Sequence, residues 1–226
     1  PLTSIFLLNI IFSVFWLVLI INAINMFDNV DGAAGTFSLI IFILFLILGV
    51  YLKTDLNIIF IISTYIGSLI IFLFFNFYPS KLFMGDIGSL QIASLIGAVS
   101  IKLVWQENTS DIFSYQIYYF LLNTVIFYVI FLDVIFVSFY RISIGKSPFI
   151  GDTNHLSHAL IKVFNDPRVA VIVLSLTTLL MCSLYLLFEF LLIEISILMR
   201  LILLSLLLIS VTIYLMRLYY RGIIRE

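Results

Sequence analysis

Seven stretches of this chain are apolar for about as long as a bilayer is thick, and that property excludes most folds. A helix needs roughly 20 mainly apolar residues to cross the hydrocarbon core. About Ile5–Ile24, Phe37–Leu52, Asn57–Phe77, Ser89–Val104, Tyr115–Phe139, Val169–Phe188 and Ile195–Met216 meet or approach that length. Asn57–Phe77 carries no charge, while Phe37–Leu52 and Ser89–Val104 are short and draw on flanking residues. Backbone N–H and C=O groups left unpaired in lipid are costly, so such stretches span as helices. The expected fold is an all-α, polytopic integral membrane protein of about seven transmembrane helices, with residues 1–226 as one transmembrane domain. Composition agrees: 64% of the 226 residues are hydrophobic and 10% charged, with mean hydropathy +1.28, against about 45–50% and about 25% in soluble domains.

The remaining bulk properties exclude little more. A formal net charge of −1 gives no reason to expect nucleic acid as a partner; the bilayer is the expected one. The single cysteine, Cys182, lies in an apolar run and supports no disulfide framework. The sequence opens at Pro1 and has no basic residue before Lys53. Ile5–Ile24 therefore does not read as a signal peptide, and we read the sequence as entering a longer protein partway through.

Basic residues orient the spans, because lysine and arginine concentrate in cytoplasmic connections. With seven alternating spans, one side carries Lys81, Arg141, Lys146, Lys162, Arg168, Arg217, Arg221 and Arg225, and the other Lys53, Lys102 and Arg200. The first side is thus expected to face the cytoplasm. Arg200, near the start of the last span, is expected to snorkel to the interface. Trp105, Tyr78, Tyr118, Tyr219 and Tyr220, near span ends, read as interface anchors. Arg141 to Arg168 is the one connection long enough for a substantial extramembrane element.

Three polar clusters fall on the expected cytoplasmic side. In Asn22–Gly35, Asn22 and Asn25 are three apart, as are Asp28 and Asp31, so each pair shares a face wherever the segment is helical. Such carboxylates suit Mg²⁺, which is usually held by one or two carboxylates plus phosphate oxygens and water; alternatively, Asp28 or Asp31 caps the next helix. In the second cluster, Phe83–Ser89, Asp86 stands between two glycines ahead of a span, as a ligand or as a cap favoured by the helix dipole. Lys81 beside it reads as a phosphate contact or as an ordinary positive-inside lysine. In the third, Gly151–His158, the chain's only histidines, His155 and His158, are three apart, suited to phosphate contact or acid–base work, or simply surface residues. Asp133, inside the run Tyr115–Phe139, is either functional or a satisfied helix–helix hydrogen bond.

Asn22-Ala23-Ile24-Asn25-Met26-Phe27-Asp28-Asn29-Val30-Asp31-Gly32 resembles the N-A-x-N-x-x-D-G-x-D-G signature of the polyprenyl-phosphate N-acetylhexosamine-1-phosphate transferases. Phe83-Met84-Gly85-Asp86-Ile87-Gly88-Ser89 resembles that family's F-M-G-D-x-G-S. Ser147-Pro148-Phe149 with Asp152, His155 and His158 is similar to its late histidine motif. The resemblance implies an Mg²⁺-dependent enzyme of a bacterial-type inner membrane, with Mn²⁺ as a substitute left open. A polyprenyl (undecaprenyl) phosphate would attack a UDP-N-acetylhexosamine, releasing UMP at the first membrane step of cell-envelope polysaccharide synthesis. Carried over, Asp86 and Asp31 are the metal ligands, and Asp28, Asp31, Asp86, His155 and His158 the catalytic set. Asn22, Asn25, Lys81, Phe83 and Asp152 bind substrate, with Phe83 stacked on uracil. Asp133 is similar to an acidic position ahead of the histidine loop.

Two positions depart from the pattern: Asn29 stands where glycine is usual, and Ser157 where a further histidine is common. On this reading Ser157→His should matter little. The absence of a run of adjacent histidines favours a UDP-GlcNAc-type donor over UDP-MurNAc-pentapeptide. The family's early aspartate-rich loop is not in this sequence, which implies an incomplete enzyme as given. Oligomeric state is left open, a homodimer included. Two other readings stand beside this one: a transporter or ion or proton channel using Asp28, Asp31 and Asp133, and an inactive membrane remnant.

Overall fold

The computed structural model describes residues 6–104, 113–147, 154–192 and 194–224. Among these residues the secondary structure is helical, in the order α1 (Phe6–Phe27), α2 (Ala33–Tyr51), α3 (Leu56–Asn76), α4 (Gly85–Leu103), α5 (Phe113–Ile126), α6 (Tyr128–Ser143), α7 (Leu156–Phe164), α8 (Pro167–Leu186) and α9 (Ile197–Ile224). A π-helical turn, Leu187–Leu191, extends α8. Six helices are long and apolar enough to cross a membrane, and α5 with α6 makes a bent seventh candidate. The protein is an all-α polytopic membrane protein.

Helix α2 forms the centre, packed against α1, α3, α4 and α8. It buries Phe37, Ile41, Phe42, Phe45 and Leu48 almost completely. Asp55 starts α3 by accepting from Asn57 N, and Asp166 starts α8 by accepting from Arg168 N, with Pro167 in the first turn, where a missing N–H costs nothing. Outward faces stay apolar: Phe60 and Phe74 on α3 are 73% and 88% exposed, as expected where lipid is the solvent.

The run Tyr115–Phe139, expected to cross as one span, is instead broken at Phe127, and its two halves meet at 86°. No proline or glycine marks the place, although most sharp kinks have such a cause. Tertiary packing holds it: Phe127 is fully buried, edge-on to Trp16 of α1 at 5.5 Å between ring centroids. The long connection after Arg141 does carry an element, the short α7, wedged between α8 and α9.

Arg200 reaches back past the start of α9 but is held by protein contacts. It is 6% exposed, its Nε donating to the Ile195 carbonyl at 3.0 Å and its guanidinium 4.9 Å from the Tyr118 ring centre. Among the expected interface anchors, Tyr118 and Tyr219 are buried, with their hydroxyls on the carbonyls of Phe188 and Asn154. Tyr78 and Tyr220 are exposed, and Trp105 lies outside the described residues.

Candidate active site

Helix α1 ends at Phe27, so Asp28 to Gly32 form a turn and not a helical face. Gly32 takes φ 81°, a left-handed geometry open to glycine, and its N–H donates to Asn76 Oδ1 at 3.0 Å. Asn76, at the end of α3, also donates from Nδ2 to the Leu82 carbonyl at 2.8 Å. One buried amide therefore ties the Asp28–Gly32 turn to the α3–α4 loop. Asp31 Oδ2 accepts from Ser80 N at 3.1 Å across the same junction. Neither Asp28 nor Asp31 caps α2, because Gly32 holds the cap position and no side chain bonds there.

The second cluster meets the first directly. Asn25 Nδ2 donates to Ser89 Oγ at 2.8 Å and lies 3.4 Å from Asp86 Oδ1, joining the end of α1 to the start of α4. Gly85 makes the turn into α4 with φ 65°, which leaves Asp86 in the first helical turn, where the dipole favours a carboxylate. Asp86 is exposed and caps nothing. Asn22, one turn back from Asn25, is not brought into the cluster; its amide donates to the Val18 carbonyl of its own helix at 2.7 Å. Lys81 and Phe83 are exposed on the α3–α4 loop. Phe83, 72% exposed, lies at a groove of about 460 Å³ between α3 and α4 that is also lined by Tyr65, Phe72 and Gly88.

The third cluster is held from two sides. Asp133, 1% exposed on α6, accepts from His155 Nδ1 at 2.8 Å and from Leu156 N at 2.6 Å. The buried carboxylate thus orients an imidazole and starts α7 at once, and a histidine held this way has its tautomer and ring direction set by the partner. From the other side, Ser157 Oγ donates to Asn29 Oδ1 in the carboxylate turn. The His155 and His158 rings lie 6.4 Å apart. Asp152 falls outside the described residues.

Charge is concentrated where these clusters meet. Burial, then the carboxylates of Asp86 and Asp31, push the Asp28 carboxyl up from 3.8 to about 6. A cation would relieve that repulsion. Among the described residues no three His, Cys, Asp or Glu side chains close around one point. The donors at hand are hard carboxylate oxygens, one or two of which suffice for Mg²⁺ when phosphate and water complete the shell. Asp28, Asp31 and Asp86, whose charges act on one another, are donors of the type such an ion takes.

Sequence reasoning missed four participants. Asn76 and Ser80 hold the carboxylate turn, and Asn29 and Ser157 join it to α7. Their partners lie 44 to 128 residues away, so no local pattern announces them. For Asp133, its place inside an apolar run was the available signal, and the structure supplies the partner.

Residues 2–104 match the sequence model of the family described as glycosyl transferase family 4. Among curated proteins, the phospho-N-acetylmuramoyl-pentapeptide-transferase of Streptococcus thermophilus is 40% identical over 94 residues, 42% of this chain and 27% of that protein. That of Streptococcus agalactiae is 41% identical over 92 residues, 41% of this chain and 27% of the relative. For Streptococcus pneumoniae the figures are 38% over 94 residues, 42% and 28%. The chain therefore spans about a quarter of the length of these curated relatives where it matches them.

Proposed function

We propose, from the match of residues 2–104 to glycosyl transferase family 4, that the protein transfers a sugar-1-phosphate. The donor is a UDP-N-acetylhexosamine and the acceptor a polyprenyl phosphate, with the site at the cytoplasmic face. An oxygen of the lipid phosphate forms a bond to the donor's β-phosphorus. The bond from that phosphorus to the bridging oxygen breaks, and UMP leaves with the electron pair. The product is a lipid diphosphate carrying the sugar.

One observation carries this reading. Three polar stretches far apart in sequence meet at one end of an apolar bundle, through Asn25 with Asp86 and Ser89 and through Asn29 with Ser157. The turn that carries the carboxylates is thereby joined to the segment that carries the imidazoles, and on this reading the diphosphate binds at that junction. Mg²⁺, held by Asp86 and Asp31 with Asp28 beside them, would neutralise phosphate charge, the main demand of phosphoryl transfer. Asn25 fixes the α1 end against Asp86. His155, steadied by Asp133, and His158 face the phosphate or sugar from α7, and Lys81 and Phe83 border the nucleotide. A channel using Asp28, Asp31 and Asp133 fits less well, because Asp133 is already committed to His155 and Leu156.

Two donors compete. The lack of adjacent histidines around Ser157 favours UDP-GlcNAc. The names of the curated relatives favour UDP-MurNAc-pentapeptide, although the family match ends at residue 104, ahead of the histidine stretch. The test is full-length protein in detergent with Mg²⁺, polyprenyl phosphate and each labelled donor in turn. A lipid-linked sugar with UMP release is expected from UDP-GlcNAc; product from the pentapeptide donor alone would reassign the sugar. Release of UDP would replace phosphosugar transfer by simple glycosyl transfer. Asp86→Asn should cost at least about a hundredfold in kcat, and near-normal turnover would remove Asp86 from the metal site.

A further inference from the structure

Asn29 and Ser157 are the two positions at which the chain leaves the signature it otherwise resembles, and in the folded protein their side chains touch. Asn29 Nδ2 donates to the Met26 carbonyl at 2.9 Å, and its Oδ1 accepts from Ser157 Oγ. Both ends of the amide are therefore engaged, one with the last turn of α1 and one with α7. Ser157 has no exposed surface. Asn29 lies between Asp28 and Asp31, and Ser157 lies between His155 and His158. The bond joins the backbone that carries the acids to the backbone that carries the imidazoles.

The chemistry of the pair is complementary. Asparagine with serine has as many side-chain heavy atoms as glycine with histidine, divided differently across the same gap. The amide of Asn29 reaches over to α7. We propose that Asn29 and Ser157 act as one positioning unit, which sets the separation between the Asp28–Asp31 turn and the His155–His158 helix and is exchangeable only as a pair. Its catalytic consequence rests on the transfer reaction proposed above; the pairing itself does not.

Single changes should fail for opposite reasons. Ser157→His puts a ring into a filled, buried position, where overpacking forces backbone shifts. Asn29→Gly leaves a gap and takes the acceptor from a buried hydroxyl. The double change restores both volume and contact. This revises the sequence-based expectation that Ser157→His matters little.

The experiment is a double-mutant cycle in full-length protein, with two readouts. The first is hydrogen exchange of the α7 amides in micelles, which needs no activity. Each single variant should speed exchange over 156–164 by about tenfold or more, and the double variant should return it to the wild-type rate. The second is transfer kinetics. Each single variant should lower kcat by about tenfold to a hundredfold while KM for the nucleotide sugar stays within about threefold, because misplacement of reacting groups weakens the transition state more than substrate binding. The double variant should recover kcat. Exchange that is unchanged in the singles, or effects that simply add in the double variant, would overturn the pairing. Recovered exchange without recovered kcat would overturn its positioning role. A wild-type protein that transfers from neither donor would refute the reaction, while the exchange cycle would still decide for or against the pair.

Discussion

Asp28 sits where burial and two neighbouring carboxylates disfavour its charge, and its protonation should be visible in solution. Its carboxyl is raised to about 6 by burial and by the charges of Asp86 and Asp31. For a group raised on folding, the stabilising contribution is complete below the unfolded value near 3.8 and is lost as pH rises through about 6. Asp28→Asn should therefore stabilise the protein at pH 7.5 by on the order of 1 kcal/mol once partial solvent exposure is allowed for, read as a higher thermal midpoint. At pH 4 the gain should vanish, and an equal gain at both pH values would contradict the shift. On the proposed reading activity should run the other way, since a cation held beside Asp28 would need its carboxylate. In wild-type protein kcat/KM should fall as pH drops through about 6, and higher Mg²⁺ should move that midpoint down. An acid limb indifferent to Mg²⁺ would detach Asp28 from the metal. Asp133 acts at the same scale but through His155. Asp133→Asn keeps an acceptor for Leu156 N yet loses the charge behind the imidazole, and should cost about tenfold to a hundredfold in kcat with little change in KM. A change in KM alone would make the contact merely structural.

Among the elements, α7 brings the histidine stretch to the carboxylate turn and is the one that single-residue reading could place least well. Its position is set by close approach to α9: a Cβ on Gly222 would come within 2.3 Å of the Ala159 carbonyl oxygen and 2.6 Å of its Cα. Backbone cannot yield as a side-chain tip can. Gly222→Ala should therefore push α7 away from α9, destabilising the protein by about 1–3 kcal/mol and lowering turnover together with it. A thermal midpoint within experimental error of wild type would show that the two helices have slack. Most of the helices were legible from sequence because lipid demands both length and apolarity from a span, and α1, α2, α3, α4, α8 and α9 supply both. The break between α5 and α6 was not legible, since Phe127 turns under Trp16 and not at a proline or glycine. The carboxylates and histidines were legible as types at characteristic spacing. Asn22 shows the limit of that reading: it has the residue type and the spacing, yet its amide stays on its own helix. Asn29 and Ser157 show the reverse, since each looked like a departure until the other was placed beside it.

For the whole molecule, the arrangement is polar at one end and apolar along its sides. The ends of α1 and α3 and the starts of α2, α4 and α7 gather near the carboxylate turn, through contacts from Asn25, Gly32 and Asn29. The α2–α3 turn with Lys53 belongs to the opposite ends of the same helices. A labelling experiment reads the orientation directly, because the native thiol, Cys182, is buried. Lys81→Cys and Phe164→Cys should be reached by an impermeant maleimide only from the cytoplasmic side, and Lys53→Cys only from the other. Labelling of positions 81 and 164 from different sides would separate the carboxylates from the histidines and dissolve the shared site.

Asn76 gives this architecture a particular fragility. Its one amide grips the loop before α2 with its oxygen and the loop before α4 with its nitrogen, so the two loops keep step with each other through a side chain that need never touch a substrate. Damage there would desynchronise them while every reactive group stayed intact, and a survey confined to acids and histidines would pass over the cause.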